Sequence, residues 1–197
     1  PFGMPIRRAF YSHMSKHLAR AALKLPDDRP IVLCMGGSMG AGPMAKLIPM
    51  LSEAIGERAY LVIICGRNEK LKKKLEAAHL PNVFITGYTT QVSEYMDSAD
   101  MILSKAGGLS SSEAAAKALP IVYLDAVPGC ETRNIEFSSN NQYAAMGHTP
   151  QEVVDLVKLH LENQRWLAAT SPPLRGEFSA HSAALISRYL SETEVPV

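Results

Sequence analysis

The chain has 197 residues, of which 47% are apolar and 20% are charged, and its formal net charge is +1. This composition is typical of a compact globular domain and excludes a disordered, collagen-like or coiled-coil chain. The near-neutral charge disfavours a nucleic-acid partner, because a surface that binds phosphates normally leaves a basic excess.

Short apolar runs alternate with helical patterns along the chain. They predict β-strands at 31–35, 60–65, 82–85, 100–104 and 120–124. Each run is continuously apolar, as expected for strands that are covered on both faces. Strand and helix alternate at the spacing that right-handed βαβ crossovers require. The sequence therefore predicts an α/β fold built on a doubly wound, largely parallel sheet.

Helices are predicted from apolar spacing and from capping residues. Apolar side chains within 44–55 recur at the spacing of one helical face, and Asn68 is a candidate cap for the next helix. In 149–152, threonine, proline and glutamate supply an N-cap, a first-turn proline and a capping-box acid. A last helix is predicted over about 178–190.

The cysteines indicate a reducing compartment. Cys34, Cys65 and Cys130 are odd in number and lack the spacing of a metal site. The longest apolar run, 59–65, is far shorter than the ~20 residues that span a bilayer. We therefore expect a cytoplasmic protein without a membrane-spanning segment.

A basic cluster near the start of the chain lies beside apolar residues. The cluster comprises Arg7, Arg8, Lys16, Arg20 and Lys24, with Phe10, Met14 and Leu18 next to them. This pattern fits either a solvated helix or a short helix that rests on an anionic lipid surface.

The first glycine-rich turn, 36–40, directly follows the first predicted strand and leads to a helix near Pro43. Its backbone N–H groups and the helix start would attract an anion. The turn lacks both the dinucleotide fingerprint and the P-loop lysine. One alternative is a tight turn that binds no ligand. The other is a serine hydrolase, because Gly36 to Gly40 also matches G-x-S-x-G, and Ser38, Asp125 and His148 follow in the order of a catalytic triad. Only about thirty residues precede this turn, too few for the strands that a hydrolase has before its nucleophile.

A second glycine turn, 104–109, follows the fourth predicted strand and precedes a helix predicted over 110–118. Two such turns at one edge of the sheet would bind a diphosphate between them. Glu113 has two interpretations: a capping box with Ser110, or a carboxylate that accepts both hydroxyls of a ribose.

A third loop, 127–134, follows the fifth predicted strand. Glu131 and Asn134 are three residues apart and so share a helical face, where a carboxylate and an amide would bracket a polyol. Cys130 lacks an identifiable histidine partner, so we interpret it as a non-catalytic thiol.

Taken together, these motifs resemble the C-terminal half of a GT-B glycosyltransferase. The residues that carry the resemblance are 35–40, 61–68, Gly87 with Tyr88, 104–114, and 128–134. More narrowly, they look like the monogalactosyldiacylglycerol synthases and the processive diacylglycerol glucosyltransferases of glycosyltransferase family 28. The resemblance runs from about residue 3 to 190 and implies a Rossmann-like sheet.

The resemblance implies a division of the chain and a set of site residues. Residues 1–25 would form an interdomain crossover and first helix, 26–197 the donor-binding domain, and the N-terminal acceptor domain would be absent. Tyr88 and Thr89 would meet uracil, and Glu113 the ribose. The remaining residues implied to bind the nucleotide sugar are Gly36, Gly37, Ser38, Arg67, Lys105, Gly107, Gly108, Leu109, Gly129, Cys130, Glu131 and Asn134.

The resemblance also implies an activity: inverting transfer of a hexose from a UDP-hexose to a lipid, diacylglycerol, by a peripheral membrane protein without metal or cofactor. The family's general base lies in the N-terminal domain, so this chain would contain no catalytic residue and would be inactive alone. Cys130 stands where the family usually has glutamine, which leaves the sugar open. The alternatives are a related nucleotide-sugar 2-epimerase and a non-catalytic binding module, in which Cys130 would mark a lost sugar contact.

Overall fold

The structure is a computed structural model and describes residues 4–36, 43–124, 131–140, 144–162 and 182–192. The strands are β1 Ile31–Met35, β2 Tyr60–Ile64, β3 Val83–Thr86, β4 Met101–Ser104, β5 Ile121–Tyr123 and β6 Ala144–Met146. The helices are α1 Lys16–Leu23, α2 Met44–Ile55, α3 Glu69–Glu76, α4 Val92–Ser98, α5 Gly108–Ala116, α6 Thr132–Asn140, α7 Pro150–Glu162 and α8 Ser182–Glu192.

The strands form one parallel sheet in the order β3-β2-β1-β4-β5-β6. The predicted fold is therefore confirmed, and the strand order is that of the Rossmann sheet, with its reversal between β1 and β4. The five predicted strands agree with the structure to within one residue at each end. The sequence did not predict β6, whose three residues, Ala144–Met146, are too few to show a pattern.

Helices cover both faces of the sheet. Ile31 and Leu33 of β1 face the layer that contains α4 and α5, and both are fully buried. Val32 and Cys34 point the other way, into the layer of α2, α3 and α7. This alternation of two apolar faces explains the continuously apolar strands in the sequence.

Two of the predicted helix caps, Asn68 and Thr149, are confirmed. Asn68 accepts a hydrogen bond from the Leu71 N–H at 2.9 Å, at the start of α3. Thr149 accepts one from the Glu152 N–H at 3.2 Å, and Glu152 in return accepts one from the His148 N–H at 3.0 Å. Residues 178–181 of the predicted last helix lie outside the described residues, and α8 begins at Ser182.

Helix α5 differs from the prediction in a way that matters for the site. It begins at Gly108 and is preceded by Gly107 as N-cap, so Ser110 lies inside the helix. The predicted capping box of Ser110 and Glu113 is therefore wrong, because a residue already in the first turn does not occupy the cap position. Because the N-cap residue Gly107 is a glycine, it has no side chain to accept hydrogen bonds from the first N–H groups of α5.

The basic cluster near the start of the chain does not form one exposed face. The Arg20 guanidinium is buried and donates to the Ser98 carbonyl at 2.9 Å and to the Asp100 carboxylate at 2.7 Å. Phe10 is also buried, in the core. These two residues therefore cannot face a lipid surface, whereas Met14 and Leu18 are exposed.

Among the described helices, none combines the length and the apolar character that crossing a membrane requires.

Candidate functional site

A cleft of about 330 Å³ opens at the carboxyl edge of the sheet, beside the point where the strand order reverses. This is the place where open α/β sheets bind their ligands. Its lining comes from the segment before α1, the ends of β1 and β2, the loop after β3, the start of α4, and α5. The lining residues are Arg7, Met35, Ile64, Gly66, Tyr88, Thr89, Val92, Leu109, Ser110 and Glu113. Four of the predicted site residues, Tyr88, Thr89, Leu109 and Glu113, are therefore brought together.

Glu113 is the acidic group of this cleft. It lies in the second turn of α5 with only 8% of its surface exposed. Its Oε1 accepts a hydrogen bond from the Arg7 Nε at 3.3 Å. Burial raises the pKa of Glu113, whereas the Arg7 guanidinium opposes that shift by charge and by hydrogen bonding.

Arg7 is a cleft residue that the sequence did not predict as one. Its guanidinium also lies 4.8 Å from the centre of the Phe10 ring, within the range of a cation–π contact. Sequence reasoning placed Arg7 only in the basic cluster, because the partner carboxylate lies 106 residues further along the chain.

Tyr88 and Arg67 form the outer rim of the cleft. The Tyr88 ring is 60% exposed, and the Arg67 guanidinium lies 5.4 Å from its centre. Gly66, between β2 and Arg67, has a φ of +60°, a conformation that favours glycine. An exposed aromatic ring beside a guanidinium is a surface on which a planar base can stack.

On the other side of the start of α5, a second group of predicted residues lies together. The Lys105 Nζ is 3.6 Å from the Glu131 Oε1. The same Glu131 oxygen would lie 4.0 Å from a Cβ atom added at Gly107. The Asn134 amide donates to the Ala106 carbonyl at 2.8 Å and lies close to Gly108. Two charges and an amide thus surround the uncapped helix start.

A buried tyrosine fixes the position of α5 relative to α6. The Tyr123 hydroxyl, at the end of β5, bonds the Ser111 hydroxyl at 3.0 Å and the Ser138 hydroxyl at 2.9 Å. Because Ser111 belongs to α5 and Ser138 to α6, this contact sets the separation between the Glu113 cleft and the group around Glu131.

Several predicted site residues lie outside the described residues. They are Gly37, Ser38, Gly129 and Cys130. Gly36 is described and is buried directly after β1. Ser38 and Asp125 of the hydrolase alternative are also outside, while His148 is exposed beyond β6. β4 and β5 lie between β1 and β6, so the strand ends that precede Ser38 and His148 in the chain are about 14 Å apart.

The two described cysteines are buried and free. Burial raises the pKa of Cys65 to about 11, so it stays a protonated, unreactive thiol near neutral pH. Within the described ranges, no three His, Cys, Asp or Glu side chains gather into a group that would hold a metal ion.

Comparison with known proteins gives a family match and full-length relatives. Residues 31–134 match the model of the glycosyltransferase family 28 C-terminal domain. A probable monogalactosyldiacylglycerol synthase 3 of Oryza sativa is 32% identical over 88% of this chain and 35% of its own length. A processive diacylglycerol β-glucosyltransferase of Staphylococcus haemolyticus is 29% identical over 91% of this chain and 46% of its own length. The chain thus spans less than half the length of these relatives.

Solved structures with the same fold are also similar over about half of their length. Acinetobacter baumannii MurG superposes with a TM-score of 0.69 at 20% identity, covering 93% of this chain and 55% of that one. The UDP-GlcNAc 2-epimerase of Neisseria meningitidis, solved with UDP-GlcNAc bound, gives a TM-score of 0.65 at 17% identity, covering 90% and 48%. At these identities the likeness establishes the fold.

Proposed function

Because the chain belongs to glycosyltransferase family 28 and matches its C-terminal domain, we propose that it is the donor-binding domain of a UDP-hexose-dependent glycosyltransferase. The observation that carries the proposal is the cleft at the carboxyl edge. There the buried Glu113 carboxylate lies within two turns of the uncapped start of α5. A nucleoside diphosphate needs both groups: an acceptor for its ribose hydroxyls and N–H donors for its phosphates.

In this proposal the cleft binds the nucleoside. Glu113 accepts hydrogen bonds from both ribose hydroxyls, as carboxylates do in dinucleotide sites. Tyr88 and Thr89 contact uracil, and Arg67 steadies the Tyr88 ring from its outer side. The open shape of the cleft and its apolar floor, which includes Met35 and Ile64, suit a flat base.

The start of α5 and the first glycine turn bind the diphosphate in this proposal. The N–H groups of Gly108 and Leu109 and the positive end of the helix dipole face negative charge there. Gly36, Gly37 and Ser38, which follow β1 in the chain, supply further N–H donors in this proposal. When UDP leaves, these groups stabilise the charge that develops on the diphosphate, which is the contribution that oriented backbone dipoles make to catalysis.

The hexose lies beside Glu131 and Asn134, together with Lys105, Gly129 and Cys130. Asn134 is held by the Ala106 carbonyl, and Glu131 lies beside Lys105, so both are oriented toward the helix start. A carboxylate and an amide together match a sugar's donors and acceptors.

We extend the proposal to the whole protein on the basis of the relatives that this chain matches. Their names specify diacylglycerol as substrate, so we propose a lipid acceptor, with diacylglycerol the first to test. Residues 1–25 form the crossover and 26–197 the donor domain, while the N-terminal domain binds the acceptor and supplies the base for an inverting transfer. The full protein works at the cytoplasmic membrane surface, and this chain binds the donor without turning it over.

Titration calorimetry with UDP, ADP and NAD tests the donor-domain proposal. We expect UDP to bind best and Glu113→Ala to weaken it by about 10- to 100-fold, the equivalent of hydrogen bonds to a charged group. Glu53→Ala removes an exposed carboxylate near the far end of α2 and serves as the matched control, with no change expected.

Two results would contradict the proposal. The first is UDP binding that is no stronger than ADP binding and is indifferent to Glu113→Ala. The second is soluble product from UDP-N-acetylglucosamine without any lipid, because a 2-epimerase carries its own catalytic carboxylates.

A further inference from the structure

We propose that Arg7 is a positioning residue for the donor site, which holds the Glu113 carboxylate charged and oriented toward the ribose. The inference rests on the proposed function, and it deepens it by assigning part of the site to the segment before the first helix. The hydrogen bond from Arg7 Nε to Glu113 Oε1, at 3.3 Å, and the burial of Glu113 carry it.

Phe10 contacts both the side chain and the backbone of Arg7, whose side chain is 56% exposed. Its guanidinium contacts the Phe10 ring, which is fully buried in the core and therefore provides a fixed surface. Its carbonyl accepts the Phe10 N–H at 3.0 Å. The neighbouring Ala9 carbonyl accepts the Ser93 hydroxyl of α4 at 2.8 Å. The segment is thus attached to the domain, and Arg7 reaches the cleft from an anchored backbone.

The contact leaves Glu113 able to bind a ligand. The Arg7 hydrogen bond engages one oxygen, and an ionised carboxylate offers about four acceptor positions. Ribose hydroxyls can therefore bind while the ion pair stays intact. A protonated carboxyl would lose part of this acceptor capacity and turn one oxygen into a donor.

Arg7 is the described group whose charge counteracts the burial of Glu113. Desolvation raises the pKa of Glu113, and the charge and hydrogen bond of Arg7 lower it. The other ionisable side chain that lines the cleft is the Tyr88 phenol. On α5's own C-terminal side, Lys117 pairs with Asp97 instead, at 2.7 Å. Without Arg7, the Glu113 carboxyl should therefore take up its proton at a higher pH.

The test compares three variants of the chain with the parent. Arg7→Met removes the charge, and Arg7→Lys keeps the charge but not the planar donor group. Arg8→Met is the matched control, because Arg8 is adjacent and exposed and is not among the residues that line the cleft. For each we would follow the Glu113 carboxyl carbon by NMR titration without ligand, and the UDP dissociation constant from pH 8 to pH 5.

We expect Arg7→Met to move the Glu113 titration to higher pH, with Arg7→Lys in between and Arg8→Met unchanged. UDP affinity should fall as the carboxyl protonates, by about tenfold per pH unit below its pKa, and this fall should begin at a higher pH in Arg7→Met than in the parent. A merely structural role for Arg7 would weaken binding equally at every pH.

Two outcomes would overturn the inference: an unchanged Glu113 titration in Arg7→Met, or a UDP pH profile parallel to the parent's. If the parent chain does not bind UDP, the proposed function fails. The ligand-free NMR titration still decides whether Arg7 controls the Glu113 charge.

Discussion

The two edges of the sheet carry cavities of similar size with opposite character. The carboxyl-edge cleft has a volume of about 330 Å³, and a second cavity of about 360 Å³ lies at the amino edge, beside Pro30, Asp100 and Pro120. Both contain charged side chains. What differs is how many protein partners the charged groups have, since Asp100 and Lys117 have several each whereas Glu113 has Arg7.

At the amino edge the charges are paired internally. The Lys117 ammonium is completely buried and donates to Asp97 at 2.7 Å and to the Ser12 carbonyl. Asp100 accepts from both Lys16 and Arg20 and also from the Ile31 N–H at 2.8 Å. These contacts fasten the first helix and the strand starts to one another.

At the carboxyl edge, in contrast, the N-cap of α5 is a glycine without a side chain, and a carboxylate faces an open cleft. The comparison teaches that cavity volume alone does not identify a ligand site. Acceptor positions of a charged group that the protein leaves open to a cleft are the better indicator.

The largest effect is expected from breaking the amino-edge pair with Lys117→Met. The change leaves the Asp97 charge buried without its partner, which costs about 3–5 kcal/mol of unfolding free energy. Urea denaturation would measure the loss. The double variant Lys117→Met with Asp97→Leu should recover much of it, since buried ion pairs are replaceable by apolar packing.

The same variant tests the division between the edges. UDP affinity of folded Lys117→Met should equal that of the parent chain. A loss of stability below about 1 kcal/mol, or a clear change in UDP affinity, would contradict the interpretation of this edge as purely structural.

A smaller effect is expected from Gly147→Ala, just beyond β6. The added carbon would lie 2.5 Å from the Val153 Cγ2 and 2.8 Å from the Val153 backbone N. Such overpacking costs about 1–3 kcal/mol. Because a backbone atom is involved, adding Val153→Ala should not restore stability. Gly87→Ala is the control, because the nearest contacts of its added carbon would be at 3.6 Å. An equal decrease of the thermal unfolding midpoint in both variants would refute this explanation.

The smallest effect concerns pH and His160, which lines the amino-edge cavity. Burial lowers its pKa, with Asp100 opposing and Lys16 adding to that shift, and its Nδ1 lacks a hydrogen-bond partner in the described structure. As the pH falls through about 6.5, the His160 imidazole is therefore protonated in the unfolded chain before it is protonated in the folded one. The free energy of unfolding then decreases by up to ~1.4 kcal/mol per pH unit.

His160→Leu removes this contribution. Urea unfolding at pH 7.5 and pH 5.5 should show a smaller acid-induced loss for His160→Leu than for the parent, with exposed His148→Gln behaving like the parent. Equal losses in all three chains would show that His160 does not contribute.

The sequence predicted most of the sheet because the inner strands β1, β2, β4 and β5 are buried on both faces and therefore largely apolar. The prediction failed where a segment was too short, as at β6, or where glycine rather than a side chain starts the helix, as at Gly107. A continuous apolar run can be recognised in the sequence, whereas a three-residue strand or a glycine N-cap leaves no local pattern.

From the sequence, Glu113 and the second glycine turn were expected at the carboxyl edge of the sheet, and the structure places both there. Arg7, the electrostatic partner of Glu113, was not predicted as a site residue. Arg7 and Arg20 looked alike in the sequence, yet one lies at the cleft and the other is buried with Asp100, 80 residues away. Such pairings arise from tertiary structure, which spacing along one segment does not encode.

The central position of β1 bears on how the chain folds as it is synthesised. β1 emerges first of the strands but pairs with β2 on one side and with β4, residues Met101–Ser104, on the other. Until β4 has left the ribosome, one edge of a fully apolar strand stays open to wrong partners. Contacts so distant in sequence form slowly, and exposed strand edges promote aggregation. We therefore expect truncation before residue 104 to yield insoluble chains, whatever the fate of the nucleotide site.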